Sequence, residues 1–297
     1  MNAMRRIDRA LSVAVEQSLT SAINEFDNPT CPPQLAAAVR HAVFPGGARV
    51  RPRLCLSVAL ACGEDDTSVA DAAASAIELL HCASLVHDDL PCFDDAPIRR
   101  GKPSVHAAYG ERLAVLSGDA LIVMAFQVLA RGAASAPHRL SQLLMIVTRA
   151  VGMPTGIVAG QAWECESRVV LENYHMAKTG ELFAAASMAG AASAGVDPAP
   201  WRVLGERLGE AYQVADDIQD VIRESKDSGK PQGRDAALGR PSAVSELGLA
   251  GATQRLRNLV TGAVDAVPDC DHADQLRALI LDEAQRFLPK DFSLFAA

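Results

Sequence analysis

The sequence predicts an all-α protein, and three observations carry that prediction. Nearly every long segment repeats its apolar residues at helical spacing, β-branched runs of strand length are scarce, and the breaks between segments fall on turn chemistry. In chain order, helices are expected at about 4–26, 34–43, 49–62, 67–89, 111–131, 138–152, 154–166, 171–187, 200–223, 241–265 and 271–287. They are parted by Asn28-Pro29, Cys31-Pro32-Pro33, Pro45-Gly46-Gly47, Pro91, Pro137 and Pro231-Gln232-Gly233, where proline and glycine interrupt a helix. No linker is long or polar enough to separate two domains, and no repeat of fixed period is present. Residues 1–297 therefore read as a single domain, one large helical bundle around a central cavity.

Composition narrows the function. The chain is 49% hydrophobic with 21 Gly and 16 Pro, which excludes collagen-like and broadly disordered readings. The longest uncharged run, Leu182 to Val196, falls short of the ~20 apolar residues a membrane span needs, so no span is expected. Arg5, Arg6 and Asp8 are followed by no apolar region, so no export signal is expected either. The seven cysteines form no Cys-x-x-Cys pair and read as reduced thiols of a cytoplasmic protein. A net charge of −8 without a long basic tract excludes nucleic acid as the main partner. An anionic substrate would need local help, either from Arg49/Arg51/Arg53 and Arg99/Arg100/Lys102 or from metal ions held by carboxylates.

Carboxylates concentrate in two segments. The first is Asp88-Asp89-Leu90-Pro91-Cys92-Phe93-Asp94-Asp95, the second Asp216-Asp217-Ile218-Gln219-Asp220. At 100° per residue Asp216 and Asp220 share a helix face with Gln213, and like charges there repel unless a cation sits between them; oxygen donors suit Mg²⁺. Pro91 should end the first helix just after Asp89, so that Asp94 folds back beside Asp88. Asp88 also shares a face with Ser84, His81 and Ile77, a stripe suited to a cavity with a polar mouth and an oily depth.

These residues resemble the trans-prenyltransferase (polyprenyl diphosphate synthase) family. His87-Asp88-Asp89-Leu90-Pro91-Cys92-Phe93-Asp94, with Arg99-Arg100-Gly101-Lys102-Pro103-Ser104 after it, is similar to the family's first aspartate-rich region and its basic tail; Tyr212 to Asp220 is similar to the second. Gly46-Gly47-Ala48-Arg49-Val50-Arg51-Pro52, Gly160-Gln161, Lys178-Thr179-Gly180 and Gly229-Lys230-Pro231-Gln232-Gly233-Arg234-Asp235 follow the family's order. The Gly-Gly-Ala-Arg variant and His81-Cys82-Ala83-Ser84 most resemble the branch making geranylgeranyl diphosphate for carotenoid and chlorophyll pathways.

The resemblance implies that Asp88, Asp94 and Asp216 bind Mg²⁺ and that Asp220 orders a metal-bound water. It assigns Lys178, Lys230 and Arg99 to the allylic diphosphate, and Thr179 and Gln213 to the carbocation. Arg51, His81 and Arg100 would hold isopentenyl diphosphate. Its double bond attacks the cation, departing pyrophosphate takes the proton, and no protein nucleophile is needed. A homodimer is implied as well. Three departures bear on affinity: Ala48 stands where the family carries Lys, Gly239-Arg240-Pro241 keeps only the substrate-binding charge of a Gly-Lys-Ser/Thr element, and Glu164 replaces an Asp.

Product length should be set along the helix ending at Asp88. Ala83 and Ser84 lie about 6 to 7.5 Å up its axis, where farnesyl-making relatives tend to carry an aromatic floor. Leu80, one turn further, favours C20 over C15, with Met124 or Phe126 of a facing helix as the alternative floor. Three rivals remain: a C15 farnesyl synthase; a terpene cyclase, which needs no second diphosphate pocket; and a non-catalytic subunit, which tends to lose one aspartate motif.

Overall fold

At the centre of the molecule runs a helix that is apolar on nearly every side. This helix, α4 (Thr67–Asp88), starts where the Asp66 side chain accepts the Ser68 N–H at 3.0 Å, and its Ala, Leu and Ile residues bury almost all of its length. Around it the computed structural model describes residues 2–26, 28–44, 46–166, 174–226 and 242–286. Preceding it are α1 (Asn2–Phe26), α2 (Pro33–Val43) and α3 (Val50–Ala61). After it come a hairpin of β1 (Ile98–Arg99) with β2 (Lys102–Pro103), the short α5 (Val105–Tyr109), α6 (Glu111–Gly132), α7 (Pro137–Val151) and α8 (Ile157–Trp163). A π-helical turn, Met176–Gly180, runs into α9 (Glu181–Ser193), and α10 (Arg202–Lys226), α11 (Ala243–Asp265) and α12 (Ala273–Arg286) complete the chain.

The all-helical expectation holds, with local corrections. Of the segment read as a helix over 171–187, residues 171–173 lie outside the described residues, and the rest is helical at 174–175, passes through the π turn and continues as α9, which extends to Ser193 because residues 182–193 are almost wholly buried. The helix expected over 154–166 is reduced to α8. The two-residue strands and α5 went unread, being shorter than any periodicity window.

Helix α4 packs lengthwise on α6, and α9 packs on α3, α7, α4 and α10. A Cβ on Gly118 would meet His87 Nε2 at 2.0 Å and one on Gly132 would meet the Ala72 Cβ at 2.2 Å, so α4 and α6 run antiparallel at close range. By length and composition both helices are apolar enough to cross a membrane, a property that the core helices of a bundle share and that a count of uncharged residues passes over, since a long helix reaches it despite one or two charges. The apolar window of α4 is 78% buried inside the bundle, that of the 111–135 segment only 39%.

Candidate active site

The first aspartate segment folds as its proline dictates. Asp89 caps α4, and the chain then doubles back, with the Asp94 N–H donating to the Asp88 carbonyl at 3.0 Å and the Ala96 N–H to the Asp89 carbonyl at 3.1 Å. Asp94 thus lies beside Asp88. Asp89 turns the other way, into the protein, where its buried carboxylate accepts Arg99 Nε at 2.9 Å and Nη2 at 2.5 Å. Burial raises its proton affinity, and Arg99 only partly opposes this. Arg99, assigned to the allylic diphosphate by resemblance, is here tethered to Asp89, with Nη2 3.8 Å from Asp88 Oδ2.

Facing that turn is the π-helical segment. Such turns shift the side-chain register of a helix, and Lys178 Nζ from this one donates to Glu164 Oε1 at 2.5 Å and to Asp88 Oδ1 at 3.4 Å. Glu164 also accepts the Tyr174 hydroxyl at 2.6 Å and Gln161 Nε2 at 3.2 Å. Burial disfavours the lysine's charge, but Asp88 and Glu164 more than restore it and hold the ammonium above the usual lysine range. Thr179 Oγ1 donates to Gln213 Oε1 at 3.4 Å, and Gln213 Nε2 donates to Asp217 Oδ1 at 3.2 Å. The contacts Asp88–Lys178 and Thr179–Gln213 therefore join the wall of the first motif to α10, which carries the second.

On α10, Asp216 and Asp220 are exposed one turn apart, on the side of Tyr212 and Gln213. Asp216 lines a cavity of about 490 Å³ together with Ala48, Tyr212, Gln219 and Arg286. Asp217 instead receives the Ala243 N–H at 2.7 Å and so seats the start of α11. Lys230 and Arg240 lie outside the described residues.

The basic residues converge from three elements: Arg51 from α3, His81 from α4, and Arg100 from the turn between β1 and β2. Arg51 is 8% exposed, stacks over Phe183 at 4.4 Å and Tyr212 at 5.7 Å, and approaches His81 Nε2 at 3.4 Å. Among the described residues no carboxylate is in ion-pair reach of it, and its Nε has no hydrogen-bond partner. Burial lowers the Arg51 pKa and drives that of His81 well down, where the surrounding arginines act in the same direction. His81 is thus a neutral ring accepting from Arg51.

The predicted length-setting residues lie in the core. Leu80 and Ala83 are each 1% exposed, and half-buried Ser84 donates its hydroxyl to the His81 carbonyl at 2.8 Å. The antiparallel register set by Gly118 and Gly132 brings Leu121 level with Ser84 and Met124 level with Leu80, both buried. Phe126 packs against the core from a more exposed position.

Sequence reasoning missed Glu164 as the partner of Lys178, Glu78 under the arginines, and Asp89 as the Arg99 anchor. An acid inside an apolar helix, as at Glu78, was the visible signal. As to metal, among the described residues no three His, Cys, Asp or Glu side chains form a ready cage. The carboxylates come in pairs, Asp88 with Asp94 and Asp216 with Asp220. Such pairs fit a hard, oxygen-seeking ion that completes its shell from a diphosphate.

An all-helical bundle with two aspartate motifs, a lysine between them and a bank of buried arginines has the make-up of the trans-prenyltransferases. The polyprenyl synthetase family profile matches residues 32–277. The geranylgeranyl diphosphate synthase of Cereibacter sphaeroides is 51% identical over 280 residues, covering 94% of this chain and 97% of that one. The protein of the same description from Rhodobacter capsulatus is 49% identical, covering 91% and 94%. Among solved structures, an FPP/GFPP synthase from Zymomonas mobilis superposes with a TM-score of 0.80 at 28% identity, covering 95% of this chain and 99% of the other. The chain belongs to the polyprenyl synthetase family, and it is a trans-prenyltransferase that joins isopentenyl diphosphate to allylic diphosphates.

Proposed function

We propose that the protein is a geranylgeranyl diphosphate synthase, extending C5 to C15 allylic diphosphates to C20 as one 297-residue catalytic unit. The observation that carries the two-diphosphate reading is Arg51, a buried guanidinium with no carboxylate in ion-pair reach among the described residues, next to a neutral His81. A buried charge without a partner costs several kcal/mol, about what an incoming diphosphate would offset. A terpene cyclase has no use for it. The C20 product is supported by Ala83 and Ser84, which leave the wall near Asp88 without an aromatic floor, and by the description of the half-identical bacterial relatives.

In this reading Asp88, Asp94 and Asp216, with Asp220 behind, hold Mg²⁺. When bound, the ion neutralises the charge that develops on the leaving diphosphate. Lys178 and Arg99 turn from their carboxylates to the allylic diphosphate, and Lys230 and Arg240 add charge. Thr179 and Gln213 direct oxygen dipoles at the allylic cation, which is attacked by the double bond of isopentenyl diphosphate held on Arg51, His81 and Arg100. Pyrophosphate then takes the proton. Seven free thiols suit a cytoplasmic setting. A second copy of the chain would cover Val115, Leu116 and Val123 of α6 and Met145 of α7, which are 42%, 51%, 56% and 70% exposed.

The test is incubation with Mg²⁺, isopentenyl diphosphate and each of the C5, C10 and C15 allylic diphosphates, with the products sized by chromatography. C20 accumulation, abolished by a chelator and restored by Mg²⁺, is expected. A C15 product identifies a farnesyl synthase, and no isopentenyl-dependent product from the purified protein favours a non-catalytic subunit.

A further inference from the structure

The arginine bank rests on a carboxylate the reaction itself does not require. Glu78 lies one turn before His81 on α4 and is 1% exposed. Two arginines reach it from different elements. Arg49 Nη1 donates to Glu78 Oε1 at 2.6 Å, while Arg100 Nη2 stands 4.0 Å from the same oxygen. Arg49 is fully engaged by the scaffold, since its Nε donates to Glu16 at 2.8 Å and its Nη2 to the Val43 carbonyl at 2.8 Å. Arg100 is attracted by the carboxylate but not bonded to it, and a further neighbour is the Cys82 sulfur, so its guanidinium is not locked in place as that of Arg49 is.

The backbone is shaped to hold both arginines there. Arg49 and Arg100 both adopt left-handed conformations with φ of 52°. The Arg49 guanidinium fills the space over Gly46, where a Cβ would come within 2.2 Å of Cζ, and that of Arg100 lies over Gly47, where a Cβ would come within 2.8 Å of Nε. The double glycine thus provides two bare surfaces for two guanidinium groups, and Glu78 is the anion between them. The neighbouring Cys82 thiol adds no second anion, because burial and Glu78 push its pKa up to about 12.

We propose that Glu78 is a positioning residue for the second diphosphate site: its carboxylate, locked by Arg49, aims Arg100 at isopentenyl diphosphate and lets Arg51 and Arg100 remain charged side by side. This rests on the reading of Arg51, His81 and Arg100 as that site. Glu16, which holds Arg49 from a half-exposed position on the far side, should matter for stability alone.

The test compares Glu78→Gln, Glu78→Asp and Glu16→Gln in the full chain by steady-state kinetics on each substrate, with circular dichroism and calorimetric titration of isopentenyl diphosphate. For Glu78→Gln, the KM for isopentenyl diphosphate should rise about ten- to a hundredfold, the scale of losing a supporting partner, with the allylic KM within about twofold. Glu78→Asp should recover part of the loss, and Glu16→Gln should leave both KM values unchanged. If Glu78→Gln does not fold, Arg49→Met/Glu78→Gln removes the buried pair together, and the same selective rise is expected because Arg100 still loses its anion. Equal changes in both KM values, or none, in the folded variant overturn the proposal. Failure of the wild-type protein to bind isopentenyl diphosphate overturns the two-diphosphate reading itself, and this inference with it.

Discussion

Replacing Arg51 by Met should make the free protein more stable and the enzyme worse. The guanidinium is 8% exposed, has no ion pair among the described residues, and has its Nε unbonded. Burying such a charge costs several kcal/mol, of which stacking on Phe183 returns ~2 kcal/mol. The balance is a penalty on the order of 1–3 kcal/mol, and methionine fills similar space without it. At about 2–4 °C per kcal/mol for a chain of this size, Tm without ligand should rise by roughly 2–12 °C. The cost appears in turnover: losing two charge-assisted hydrogen bonds of about 1.5–3 kcal/mol each lowers kcat/KM for isopentenyl diphosphate by roughly 10²–10⁴, with the allylic KM little changed. Thermal melts with and without isopentenyl diphosphate, alongside steady-state kinetics, check both halves. The wild type should be stabilised by that ligand and the variant should not. A lower Tm in the variant, or parallel losses on both substrates, would refute the view of Arg51 as a charge awaiting an anion.

Three further outcomes are expected. Asp88→Ala or Asp216→Ala should abolish turnover while circular dichroism shows an unchanged helical fold; wild-type rates in either would remove the metal-assisted mechanism. Ala83→Tyr, on the buried stretch of α4 near Leu121 and Met124, should shift the product from C20 toward C15, and an unchanged product distribution would place the floor elsewhere. His81 has its pKa lowered well below 6.5 by burial and by the arginines, so below about pH 6.5 the unfolded chain binds a proton that the folded one does not. That part of the stability is present above about pH 6.5 and is lost as pH falls toward the folded pKa, at up to about 1.4 kcal/mol per pH unit. His81→Gln should flatten the slope between urea midpoints measured at pH 7.5 and 5.5, and an identical slope would mean His81 is not the group involved.

What could be read ahead of the structure was whatever depends on near neighbours along the chain. Pro91 ended α4 and returned Asp94 to Asp88 because a missing N–H and a blocked carbonyl act within one turn. Asp216 and Asp220 shared a face because helical geometry alone requires it. The π turn at Met176–Gly180 inside the segment predicted as a helix over 171–187 went unseen, because no 3.6-residue periodicity reveals a local change of register. Arg49 read as one of three arginines that could help an anionic substrate, and its actual partner could not be found, since Glu78 lies 29 residues away on another helix.

By itself, the sequence determined the helical class, the two aspartate motifs, the basic loops and, through their resemblance to a family, the chemistry; all of these depend on residue type and short spacing. Only the tertiary structure decided which carboxylates are taken up by the protein's own arginines and helix ends. Asp89 went to Arg99, Asp217 to the start of α11, and Glu78 to Arg49, while Arg51 was left without an acid among the described residues. The physical reason is that pairing of charges is a matter of distance and burial, and both are set by how the helices pack rather than by the order of residues along them.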